Sequence, residues 1–230
     1  ANLASIDKII GFSRYKGIDS ILTVLKQLDS DGISVKDGYG TAPVPSFSTD
    51  VAIPLIGVSH RKTTDDIPLV LFYTSECVFS NYHSAPIHVD GNDFATSEQY
   101  FMWTKAKIFD DIETADEIIN AQSPGEARKL GRKVRNFNEK VWNETSNRMM
   151  VVACYRKFQQ NAALRKSLLA TAGSVLVEAS PSDRIWGIGL GVNHADGSNP
   201  EKWRGSNKLG RILTVIREHM IDSKLYQTDV

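Results

Sequence analysis

Apolar residues recur at three- and four-residue intervals along much of this chain, and unbroken apolar runs are few and short. Ile18, Ile21, Leu22, Leu25 and Leu28 keep that interval and predict a helix over about residues 17 to 29. Turn formers follow in Asp31-Gly32, Gly38-Tyr39-Gly40 and Pro43-Val44-Pro45-Ser46, so residues 30 to 50 read as loop or linker. A lone helix cannot bury its own apolar face. Residues 1 to 65 therefore read as an N-terminal extension able to pack on a main body at 66 to 230.

The main body opens with Leu69-Val70-Leu71-Phe72-Tyr73, a buried strand. Pro86-Ile87-His88-Val89 and Asn92-Asp93-Phe94 flank Asp90-Gly91, which predicts a tight hairpin. Thr96 caps the next helix, and Gln99 stands at capping-box spacing. Ser123-Pro124-Gly125-Glu126 opens another, with Ala127, Leu130 and Val134 inside and Arg128, Lys129, Arg132, Lys133 and Arg135 outside. That basic run reads first as a solvated face and second as a phosphate patch. A long helix is expected over about 138 to 159, then one from Asn161 to before Gly173. Ser174 to Ala179 reads as a strand, and a last helix starts near Asn207 with Leu209, Ile212, Leu213, Ile216 and Met220 as its buried stripe. The pattern predicts an α+β fold, mainly helical with a few short strands.

Composition narrows the function classes. Twenty-seven Lys and Arg balance twenty-seven Asp and Glu over 230 residues, which argues against a protein held on nucleic acid mainly through phosphates. It leaves room for an enzyme that grips one nucleotide. No apolar run is long enough to span a bilayer, and no secretory signal stands at the start. Cys77 and Cys154 lie in apolar contexts without metal-ligand spacing, so they read as buried thiols in cytosol or nucleus. The five histidines show no paired spacing, so neither a metal nor a cofactor is expected. A phosphate loop, a nucleophile elbow and the zinc-deaminase cysteine pair are all missing.

Three segments remain. Glu98 sits at a helix start crowded with aromatics. By spacing it is a surface residue matched to the helix dipole; a carboxylate in apolar surroundings is otherwise paired or kept for chemistry. Asp183 and Trp186 lie in a loop before Gly187-Ile188-Gly189. Gly205-Ser206-Asn207-Lys208 precedes a helix whose N–H groups could hold a phosphate, or else Asn207 is a plain cap.

These segments together resemble the YbiA-like, or NADAR domain, family over about residues 70 to 220. The likeness rests on Phe79-Ser80-Asn81, Ser97-Glu98-Gln99-Tyr100-Phe101, and Ser123-Pro124 with Ala127, Gly131 and Arg132. It continues in Leu176 to Pro181, Asp183 with Trp186-Gly187 and Gly189, and Gly205, Asn207, Leu209 and Gly210. Gln99 stands where the family often has His, Tyr82 where it has Phe, and residues 192 to 204 are longer than in short bacterial members.

The resemblance implies an N-glycosidase that cleaves a ribose C1′–N bond. Two substrate types go with it: early riboflavin-pathway ribosylamino-pyrimidine phosphates, and guanine carrying ADP-ribose on its exocyclic amine, in nucleic acid or nucleotide. A module that binds ADP-ribose or NAD without turnover is the reading from another class. Bond cleavage builds positive charge on the sugar, which calls for a carboxylate near C1′. Carried onto this chain, Glu98 is the stabiliser and possible base for water, and Asp183 is the acid or a hydrogen-bond partner. Trp186 stacks on the ring or walls the pocket, Phe79 and Asn81 line the ring site, and Ser80, Tyr100 and Gly187 are further substrate-binding residues. Lys105, two turns beyond Glu98, would hold Glu98 ionised, contact phosphate or form a structural ion pair. Asn207, Lys208 and Arg132 are the phosphate candidates.

Overall fold

The computed structural model describes residues 17–29, 38–42, 51–223 and 226. Most of the predicted loop at 30 to 50 and the start of the extension lie outside the described residues. Seven α-helices and five strands form among the described residues. In chain order they are α1 (Ile18–Asp29), β1 (Val58–Lys62), β2 (Pro68–Phe72), β3 (Ile87–Val89), β4 (Asn92–Phe94), α2 (Ser97–Ile108) and α3 (Ile112–Ile119). Then come α4 (Pro124–Gly131), α5 (Glu139–Gln160), α6 (Ala162–Leu169), β5 (Val175–Glu178) and α7 (Lys208–Asp222). The α+β, mainly helical reading holds. The chain divides into two compact units, one drawn from residues 1–22, 50–80 and 163–230, the other from 23–49 and 81–162.

The first unit is built on a three-stranded sheet in the order β1-β2-β5. β1 lies antiparallel to β2, with His60 opposite Val70, and β2 runs parallel to β5, with Leu71 opposite Val177. β5 is buried at every position and β2 at all but Pro68, which is why both read as unbroken apolar runs. Leu69, Leu71, Val175, Val177, Ala179, Ile188 and Leu190 make one cluster of its core. β1, Val-Ser-His-Arg-Lys, lies inside the segment 1–65 and carries no apolar alternation.

The open edge of β5 is closed by α7. Thr214 Oγ1 accepts the Leu176 N–H at 3.1 Å, and Asn207 Oδ1 accepts the Glu178 N–H at 2.9 Å. Asn207 Nδ2 donates to the Leu176 carbonyl at 3.0 Å. A sheet edge left bare would expose these groups. Gly210 permits the approach, since a Cβ there would stand 2.1 Å from the Leu176 oxygen.

In the second unit, α2 packs against α3, α4 and α5. The β3–β4 hairpin turns at Asp90 (φ 53°) and Gly91 (φ 73°), both left-handed, as an Asp-Gly type I′ turn requires. α5 buries every residue from Met149 to Gln159, so its inner half shows no amphipathic stripe.

Candidate active site

The start of α2 folds as its sequence dictates. Thr96, in extended backbone, accepts the Gln99 N–H through its hydroxyl at 3.1 Å. The reciprocal bond of a capping box is displaced by one residue, because Gln99 Oε1 takes the Ala95 N–H at 2.8 Å. Gln99 Nε2 donates to the carbonyls of Ile118 and Ile119, each at 2.9 Å, and so ties α2 to the end of α3.

Glu98 is not the exposed residue that spacing alone favours. It is buried, at 7 % exposure. Its N–H donates to the Asn81 carbonyl at 3.1 Å. Asn81 is held in turn: its amide donates to Met150 Sδ at 3.1 Å and accepts from Ser97 Oγ at 3.1 Å and from the Cys154 thiol at 3.6 Å. Burial, and in smaller part the charge of Glu98, pushes the Cys154 thiol up to about 12, against the opposing pull of Lys157. A carboxylate, a hydrogen-bonded amide and a neutral thiol thus share one buried corner. Asn81 acts there as a brace.

The remaining candidates of this unit are dispersed. Tyr100 lies in the core, stacked on Trp103 and edge-on to Phe94, with its hydroxyl donated to Asp90 Oδ2 at 2.8 Å. Burial first, then the Asp90 charge, hold that hydroxyl well above the usual tyrosine range. Lys105 Nζ donates to the Gly131 carbonyl at 2.8 Å and stands 4.3 Å from the centre of the Phe137 ring and 5.7 Å from that of Trp142. Desolvation lowers its pKa. Arg132 caps the end of α4 and is exposed. A shallow cavity of about 730 Å³ at the start of α5 is lined by Phe137, Asn138, Glu139, Lys140, Asn143 and Glu144, none of them a sequence-predicted site residue.

The first unit gathers Asp183, Trp186, Gly187, Asn207 and Lys208 around one loop. Asp183 Oδ1 accepts the N–H groups of Ile185 at 2.9 Å and Trp186 at 2.8 Å. The loop returns to the strand through Ile188 N–H to the Glu178 carbonyl, 2.9 Å, and Gly189 N–H to the Asp183 carbonyl, 3.0 Å. Trp186 is half-buried, with Lys208 Nζ 5.9 Å from its ring centre.

The helix-terminal phosphate site needs correcting. The N–H groups of Asn207, Lys208 and Leu209 already donate to the carbonyls of Gly187, Ile185 and Trp186. The Asn207 side chain is fully buried and spent on β5. Lys208 keeps a partly exposed cationic side chain there. Phe79 is fully buried and edge-on to Phe72 at 5.5 Å, a core contact, while Ser80 is half-buried.

One carboxyl lies in a run that carries the resemblance but was given no role there. Glu178, the last residue of β5, is buried, and desolvation followed by the Asp183 charge pushes it up to about 8. Its signal was available: an acidic residue closing the run Val175-Leu176-Val177. Among the described residues no group of three or more His, Cys, Asp or Glu is arranged to hold a metal, and no helix is long and apolar enough to cross a membrane.

The NADAR domain model matches residues 71–221. Protein irg-1 of Caenorhabditis elegans is 40% identical over 167 residues, 66% of this chain and 79% of that protein. N-glycosidase R617 of Acanthamoeba polyphaga mimivirus is 40% identical over 134 residues, 57% of this chain and 79% of its own length. The NMR structure of the E. coli protein YbiA superposes with a TM-score of 0.56 at 31% identity, covering 77% of this chain and 92% of that one. With its buried Glu98, its Asp183–Trp186 loop and a family match over most of its length, the chain belongs to the NADAR domain family.

Proposed function

We propose that this chain is an N-glycosidase that removes ADP-ribose from ADP-ribosylated guanine by hydrolysing the ribose C1′–N bond. Family membership and the similarity to a protein named N-glycosidase support the reaction class. The observation that carries the reading is Glu98. A buried carboxylate on a helix start, with its backbone tied to Asn81, is suited to stabilising the cationic sugar of a C–N cleavage. Lys105, already engaged with Gly131, contributes positive charge on the same helix. Asp183 orders the loop that presents Trp186, whose ring offers a stacking face. Lys208 is the phosphate contact on that side. Residues 66–230 carry the residues assigned to the reaction.

The test offers ADP-ribosyl-guanosine, ADP-ribosylated DNA and a ribosylamino-pyrimidine phosphate side by side, with products read by mass spectrometry. Release of ADP-ribose from the guanine substrates is expected, and Glu98→Gln lowers the single-turnover rate by about 100-fold or more in a folded protein. Cleavage of the pyrimidine alone would make the chain a riboflavin-intermediate hydrolase. Calorimetric binding of ADP-ribose without cleavage of any of the three would make it a binding module.

A further inference from the structure

Glu178 closes a strand that is buried along its whole length, at the carboxyl end of the parallel pair β2–β5. Ligands of open sheets collect at that end of parallel strands. Its backbone is fully engaged, the N–H with Asn207 and the carbonyl with Ile188. Its carboxyl is not: the residue is 9 % exposed, and among the described residues the side chain makes no hydrogen bond or ion pair. Carboxyls left in the interior without a donor are costly unless they keep their proton. The titratable group that bears on it is Asp183. β2 brings none, being Pro68-Leu69-Val70-Leu71-Phe72. α7 brings Asn207, with Lys208 and Arg211 in its first turn.

We propose that Glu178 is the catalytic acid that protonates the departing base nitrogen, with Asp183 as its neighbour and loop anchor. The two carboxyls sit in opposite environments, one without donors and one accepting two backbone N–H groups. Such a split marks acid and partner in carboxylate pairs. Held near 8, Glu178 keeps its proton at neutral pH. In the step, water oxygen bonds to C1′ and the C1′–N bond breaks, its electron pair going to nitrogen. The Glu178 proton moves to that nitrogen. Water loses one proton to solvent, and solvent returns one to Glu178. The assignment rests on the N-glycosidase reading, and it takes the acid role from Asp183.

The experiment compares two substrates on the full chain in single turnover: ADP-ribosyl-guanosine, and a 4-nitrophenyl glycoside of the same sugar phosphate, whose phenolate leaves without a proton. Glu178→Gln is expected to slow the first by about 100-fold or more and to leave the second within about threefold of the wild type. Glu178→Asp restores part of the loss. Wild-type cleavage of the first substrate falls above about pH 8 and that of the second does not. Equal loss on both substrates, or none on either, overturns the assignment. If Glu178→Gln does not fold, the wild-type profiles decide, and identical profiles overturn it. A wild type inert on both substrates removes the N-glycosidase reading and this proposal together. Loss in Glu98→Gln with full speed in Glu178→Gln keeps that reading and removes this one.

Discussion

Asn207 shows how much one side chain can hold. It stands at φ 49°, ψ 38°, a left-handed conformation that Asn tolerates and most residues resist. From there its amide serves both a donor and an acceptor on β5. Asn207→Ala leaves the Glu178 N–H and the Leu176 carbonyl unpartnered, at about 1–3 kcal/mol each. Urea unfolding should show a loss of about 2–6 kcal/mol, and an unchanged midpoint would refute the edge-closing role. The sequence showed the glycine–Asn turn correctly, but both readings of it looked outward, to phosphate or to a cap. The true partner is a strand some thirty residues earlier, which no local spacing encodes.

At the scale of elements, short helices here are pinned at their ends. Asp111 caps α3, accepting the Thr114 N–H at 3.3 Å, the Arg135 N–H at 2.8 Å and the Arg135 guanidinium at 2.6 and 3.0 Å. Those Arg135 bonds hold its carboxyl well below the usual range. At the other end of α3, Gln99 Nε2 donates to the Ile118 and Ile119 carbonyls. Asp111→Ala should cost about 1–2 kcal/mol at pH 7, as lost N-caps do. The difference should shrink in acid, because the stabilisation is present above about pH 4 and lost as pH falls through the depressed folded value. A difference that stays constant from pH 7 to pH 2 would refute it. Legibility followed the same division. Helices with a cap and a stripe, such as α4 and α7, were readable from local residues. α3 carries its signals in Asp111, Ile112, Ala115 and Ile118, yet at eight residues it drew no assignment from the pattern. β1 is polar after Val58 and owes its existence to pairing with β2.

For the whole molecule, formal neutrality keeps general charge repulsion small, so individual buried groups shape the pH response. Glu178 shapes it most simply. Between the ordinary glutamate value of 4.5 and about 8, the native chain keeps a proton that the unfolded chain has lost. Stability therefore declines as pH rises through that window, opposite to Asp111 in acid. Urea midpoints should fall from pH 5 to pH 8.5, and Glu178→Gln should flatten the slope. A wild-type midpoint that climbs over this range, or a variant with the same slope, would contradict the burial of a neutral acid at the end of β5.

The Cys154 thiol bonded to Asn81 has a different use. A sulfhydryl held near 12 offers almost no thiolate, so alkylating reagents and peroxide should leave it alone in the closed protein. Modification then waits for the Glu98 corner to open. The rate at which iodoacetamide labels Cys154 becomes a clock for that opening. Labelling as fast as a free peptide thiol would mean the corner is not closed at all.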